Sequence, residues 1–229
     1  MTTPLLLVAH GSRADAADAV VRELAGRVAE RSGLDVHVGY VDVRGPTVAD
    51  AVVDLPGAVV VPAFLAEGHH VLRDLPAQLA AIGADPAAFP VTPALGTDPL
   101  LARAALARLD AAGRRPGDAV VLAAAGSADP RALAQVRHTA RLLQGAVGRR
   151  VRVGFAASAV PPVDALVAGL RAAGERRIVL ASWLLAPGLF QSRLEAAGAD
   201  VVAAPLGAHD DVLAAVLRCY RSATARAAA

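Results

Sequence analysis

The chain has 229 residues, of which 55% are hydrophobic, 19% charged and 3% aromatic, with a formal net charge of +2. This length fits one large domain or two small ones, and the apolar fraction excludes a disordered chain. A near-neutral balance with few aromatics argues against nucleic-acid binding, which needs a basic face and stacking platforms. The single Cys219 leaves no internal disulfide and no thiolate pair for a metal, which fits a reducing, cytoplasmic setting. No targeting or membrane segment is expected. The run Leu5 to Ala9 is short and has no basic flank, and the longest uncharged stretch, Ile178 to Ser192, is broken by Pro187 and Gly188.

Apolar runs alternate with amphipathic stretches. Pro4 to Ala9 reads as a buried strand, Asp15 to Arg31 as a helix with Ala19, Leu24 and Val28 at helical spacing, and Val36 to Val43 as a second strand. Thr47 to Leu55 follows as a short helix begun by Pro46 and Thr47. Ala58 to Pro62 is a third strand and Val91 to Pro93 a short fourth. Asp98 to Ala112 is a helix with Asp98 as N-cap and Pro99 in its first turn. Strands that are apolar throughout, separated by helices, indicate a parallel sheet covered on both faces.

Residues 112–118 read as a linker, and the pattern then repeats. Val120 to Ser127 echoes Leu5 to Ser12, Val151 to Phe155 echoes Val36 to Tyr40, and Pro161 matches Pro46. Ile178 to Gly188 echoes Val59 to Gly68, and Leu206-Gly207 echoes Leu95-Gly96. The fold class is therefore α/β, with two similar domains over residues 1–113 and 118–229, each a small parallel sheet with helices on both faces. The duplication makes the chain a pseudo-dimeric internal repeat.

Ligands of open parallel sheets bind beyond the carboxyl ends of the strands. In the first copy His10 follows strand one, Asp42 ends strand two and His70 lies in the segment after strand three. Two imidazoles and a carboxylate suit a borderline divalent ion and leave coordination positions open, and imidazole can also accept a proton near neutrality. At the matched positions the second copy has Ala125, Ala157 and Phe190, while Gly126, Ser127 and Gly188 keep the counterparts of Gly11, Ser12 and Gly68. Joint loss of all three candidate ligands, with the backbone-shaping residues retained, points to one shared site.

Gly11 and Ser12 open a turn whose free N–H groups could hold an anion, although Ser12 reads better as an ordinary N-cap. If the segment from Gly68 is helical, His70 and Asp74 share a face. Asp74 could then orient the imidazole, or it could cap a helix that starts near Pro76. Glu67 is a possible auxiliary acid. His69 points elsewhere on such a helix, and His37, His138 and His209 are assigned structural roles. Trp183 and Phe190 read as core or pocket lining.

Ala9-His10-Gly11-Ser12-Arg13, followed by Phe64-Leu65, Gly68, His70 and Asp74-Leu75, resembles the sirohydrochlorin chelatases in their long two-domain form. The resemblance implies insertion of Fe²⁺ or Co²⁺ into a carboxylate-rich tetrapyrrole by a monomer whose fused second copy replaces the partner of the short, homodimeric members, and Ni²⁺ suits the same donor set. It implies that the metal enters as substrate, that no organic cofactor takes part, and that two protons are released for sirohaem or cobalamin synthesis. By resemblance His10 and His70 bind the metal and assist deprotonation, and Asp42 takes the place of an acidic family ligand. Gly11, Ser12, Arg13, Arg44, Gly68 and Arg73 are the candidate contacts to the macrocycle, since guanidinium forks suit carboxylates. A non-catalytic metal or tetrapyrrole carrier on the same scaffold is the alternative.

Overall fold

The computed structural model describes residues 3–68, 70–81 and 88–227, with His70 described by its backbone. The first half runs β1 (Leu5–Ala9), α1 (Asp15–Ser32), β2 (Val36–Tyr40), α2 (Val48–Val53) and β3 (Val59–Pro62). It continues through a π-helical turn (His70–Asp74) into α3 (Leu75–Ala81), then a 3₁₀ turn (Leu95–Thr97) and α4 (Pro99–Ala111). The second half runs β4 (Ala119–Ala124), α5 (Pro130–Val147), β5 (Val151–Phe155), α6 (Val163–Ala172), β6 (Ile178–Trp183), α7 (Leu189–Glu195), β7 (Val201–Val202) and α8 (Asp210–Ala227). No described helix is long and apolar enough to cross a membrane.

All strand pairs are parallel. The first sheet has the order β2-β1-β3 and the second β5-β4-β6-β7. Alternating side chains of each strand serve opposite faces. Leu5, Leu7 and Ala9 of β1 join a central core, and Leu6 and Val8 join an outer one. In β4, Val120, Leu122 and Ala124 face the same central core, and Val121 and Ala123 the outer cluster of that half. The central core lies between the sheets and takes residues from α1, α4, α5 and α8, while α2 and α3 cover one outer face and α6 and α7 the other. Strands buried on both faces explain why they read as continuous apolar runs.

The closing helices are exchanged: α4, from the first half, packs on β6, and α8, from the second, packs on β3. Polar ties follow the exchange. Arg108 donates to the Leu206 carbonyl at 2.8 Å, Tyr220 donates to the Thr3 carbonyl at 2.6 Å, Arg27 pairs with Asp210 at 2.8 Å and Arg218 pairs with Asp98.

Most elements fall where their residues predict, and the departures have local causes. The expected strand Val91–Pro93 is a single bridge to Val60, because Pro90 and Pro93 lack the N–H groups that a ladder needs; its counterpart in the second half forms β7. Strand β2 stops at Tyr40 because the chain turns at Val43, with φ of 65°, ahead of Pro46. Asp98 caps α4 through the Leu100 N–H, as expected, and Thr47 caps α2 in a box with Asp50. The expected linker is pinned: Asp118, 6% exposed, accepts the Arg115 N–H at 2.7 Å and pairs with Arg177.

Candidate active site

In each sheet the central strand, β1 or β4, is the switch point from which the chain leaves to both sides. A cavity of about 660 Å³ opens beyond the carboxyl ends of the strands and takes walls from both halves. Ala9, Tyr40 and Ala63 line it at the ends of β1, β2 and β3, and Ala124, Phe155 and Trp183 at the ends of β4, β5 and β6. The wall from the second half is mostly apolar, including Leu184, Leu185, Leu189 and Phe190. Trp183 is 2% exposed, and its ring N–H donates to the Leu65 carbonyl at 3.2 Å, so it ties the two walls together.

His10 lies on this cavity, in an exposed position after β1. Its Nδ1 is 2.9 Å from the Gly11 carbonyl, which can only accept. In the neutral ring the proton therefore sits on Nδ1, and Nε2 carries the lone pair that a metal or a proton needs. Gly11 has φ of +95°, and a Cβ there would come within 2.0 Å of the Asp42 carbonyl oxygen, so only glycine lets the two loops meet this closely. The Asp42 N–H donates to the His10 carbonyl at 3.0 Å. Asp42 is exposed, and its carboxylate accepts the Val43 N–H at 2.7 Å.

Gly11, Ser12 and Gly68 line the cavity with His10, and a Cβ on Gly68 would sit 3.6 Å from Ser127 Oγ of the other half. Ser12 is not the N-cap. Ala14 holds that position, and Ser12 accepts the Ala14 N–H at 3.1 Å in the turn before it. Asp42, Arg13, Arg44, Arg73, Asp74 and Glu67 are not among the described residues lining the cavity. Arg13 and Arg73 are exposed. Arg44 donates Nε to the Ser12 carbonyl at 2.6 Å and pairs with Asp15. Glu67 is held across the halves by Gln135, which accepts its N–H at 2.7 Å and donates to its carboxylate at 3.1 Å.

Asp74 ends the π-helical turn that runs directly into α3. His69 and the His70 side chain lie outside the described residues. Among the described residues no three His, Cys, Asp or Glu side chains converge to hold a metal ion. His37 pairs with Asp35 at 2.8 Å, and His209 accepts the Asp211 N–H at the start of α8, both structural roles.

Asp18 and Tyr40 also line the cavity, and the sequence alone did not single them out. Tyr40 donates its hydroxyl to Asp18 Oδ1, and Arg22 donates to Oδ2 at 2.8 Å. Burial and the bond to Asp18 push the phenol up to about 12, while that same bond, then Arg22, holds the Asp18 carboxyl below its usual range. The second half has Phe155 and Leu133 at these places, so the loss of polarity between repeats was the available clue.

The profile of the CbiX family matches the chain twice, over residues 4–112 and 119–223. A sirohydrochlorin cobaltochelatase from Methanopyrus kandleri is 40% identical over 81 residues, which are 33% of this chain and 57% of that protein. The chain thus spans about half the length of the curated relatives it matches. SirB from Bacillus subtilis, solved with Fe³⁺, is 21% identical with a TM-score of 0.86 over 99% of this chain and 97% of that one. The sirohydrochlorin chelatase SirB from Bacillus subtilis subspecies spizizenii, solved with cobalt, gives 0.79 at 21% identity, with 99% and 97% of the chains covered. At that identity the likeness establishes the fold.

Proposed function

The chain belongs to the CbiX family, and on that premise we propose that it is a sirohydrochlorin chelatase. It inserts Fe²⁺ or Co²⁺ into the macrocycle, releases two protons, and uses the metal as a substrate. The observation that carries this reading is the placement of His10 at the switch point of the first sheet, on a cavity built by both halves. The names of the curated relatives and the iron and cobalt in the SirB structures support it.

In this reading His10 offers Nε2 to the incoming ion and His70 supplies the second imidazole. Asp42, joined to His10 by a backbone hydrogen bond, supplies the carboxylate. The macrocycle lies against the apolar wall of the second half, with its carboxylates toward the rim and Arg13 and Arg73 nearby. Gly11, Ser12 and Gly68 leave room for the ring to approach the ligands. A nearby imidazole then accepts a pyrrole proton, help worth roughly 10²–10⁴-fold in rate. Holding ion and ring together adds the gain of a pre-assembled encounter.

The test is an anaerobic absorbance assay with sirohydrochlorin and Fe²⁺, Co²⁺ or Ni²⁺. Wild type should turn over many equivalents, and His10→Ala and His70→Ala should fall to the uncatalysed rate with unchanged thermal midpoints. A single stoichiometric burst with tight retention of product would identify a carrier instead. Insertion at the wild-type rate by the double variant would refute the site.

A further inference from the structure

A polar network surrounds the His10 loop, and among the described residues the other half keeps only Arg137, the counterpart of Arg22. Arg44 donates Nε to the Ser12 carbonyl at 2.6 Å, pairs with Asp15, and lies 3.6 Å from Asp18 Oδ2. Asp18 in turn accepts the Tyr40 hydroxyl and, at 2.8 Å, Arg22 Nε. In the second half the same turn closes with the same backbone. Gly126, at φ of +104°, abuts the Ala157 carbonyl and the Ala159 N–H just as Gly11 abuts those of Asp42 and Arg44. Ser127 accepts the Asp129 N–H as Ser12 accepts that of Ala14. Strand register pairs Tyr40 with Phe155, and the fourth residues of α1 and α5 are Asp18 and Leu133. Ala159, Phe155 and Leu133 thus stand where the first half has Arg44, Tyr40 and Asp18.

Two conclusions follow from that comparison. The turn does not need the network in order to fold, because its twin forms without it. The network is also confined to the half that carries His10. We propose that Tyr40, Asp18 and Arg44 are positioning residues that fix the His10 loop at the mouth of the cavity for metal transfer, an inference that rests on the chelatase reading. Arg44 acts through the Ser12 carbonyl, and Tyr40 and Asp18 act through Arg44. Groups that orient a metal-binding side chain from behind typically matter about 10–100-fold in metal affinity or activity.

The full chain tests this with Tyr40→Phe, Arg44→Ala and the double variant Asp18→Leu/Tyr40→Phe. The double variant installs the apolar pair that the second half already packs, which keeps folding and function separable. Thermal midpoints should stay at the wild-type value. For cobalt insertion, kcat should fall about 10–100-fold while KM for sirohydrochlorin is unchanged. The visible ligand-field bands of Co²⁺ bound without tetrapyrrole should shift. Wild-type kcat with wild-type bands would overturn the proposal, as would a lowered midpoint with full activity per folded molecule. If wild type itself fails to turn over, the chelatase reading fails separately, and the cobalt bands alone decide whether the network positions the loop.

Discussion

Gly11→Ala and Gly126→Ala apply nearly the same mechanical insult to the two halves of the molecule. The added methyl would lie 2.0 Å from the Asp42 oxygen in one case and 1.8 Å from the Ala157 oxygen in the other. A close carbon–oxygen contact is about 3.3 Å, so roughly 1.3–1.5 Å of displacement is needed. Crowding of this kind costs about 1–3 kcal/mol, and a non-glycine residue at φ of +95° or +104° costs about 1–3 kcal/mol more. The sum, about 2–6 kcal/mol, lowers the melting temperature of a chain this size by roughly 5–20 °C. Both variants should show that fall in calorimetry. They should part in metal insertion measured below both transitions. Displacing the Asp42 carbonyl moves the segment bonded to His10, whereas Ala157 faces no ligand. Gly11→Ala should therefore lose activity per folded molecule and Gly126→Ala should keep it. Equal loss in both, or a Gly11→Ala midpoint equal to wild type, would refute the reasoning.

Asp98→Ala removes both the cap on the Leu100 N–H and the pair with Arg218 on the exchanged α8. Urea denaturation should show a loss of about 1–2 kcal/mol, whereas Arg218→Ala, whose side chain is 52% exposed, should lose less than about 1 kcal/mol. Alkali supplies a further test. Below pH 10 the Tyr40 phenol is protonated whether folded or not, and above it the unfolded chain ionises while burial and Asp18 hold the folded phenol neutral up to about 12. Stability should fall across that window, and Tyr40→Phe should flatten the fall in equilibrium denaturation curves. Tyr220 and Cys219, both raised by burial, keep a residual slope.

The two sheets were legible because every central strand is apolar on both faces, and the duplication was legible because glycine, serine and proline recur at fixed offsets. The Asp98 cap and the position of His10 at a strand end followed from the same residues. Other features lay beyond one-dimensional reading. Ser12 looks like a cap, but the cap position lies two residues later, at Ala14. The run at Val91 has the residues of a strand, yet two flanking prolines deny it a ladder. Tyr40 and Asp18 were hidden because they lie 22 positions apart, one on a strand and one on a helix, and only packing brings them together. The exchange of α4 and α8 leaves no mark in the pattern at all, since an amphipathic helix suits either sheet equally well.

That exchange sets how a guest can enter. Hinge-bending apart of the two lobes would strip β3 of α8 and β6 of α4 and wet the centre of the molecule, so the gap between the walls behaves as a slot of fixed gauge. Passage is then governed by rim side chains, with Leu189 and Phe190, 66% and 40% exposed, standing at its edge. On the proposed chelatase reading, a slot of this kind would select flat, rigid guests by their thickness and release a metallated product of the same thickness without large-scale breathing.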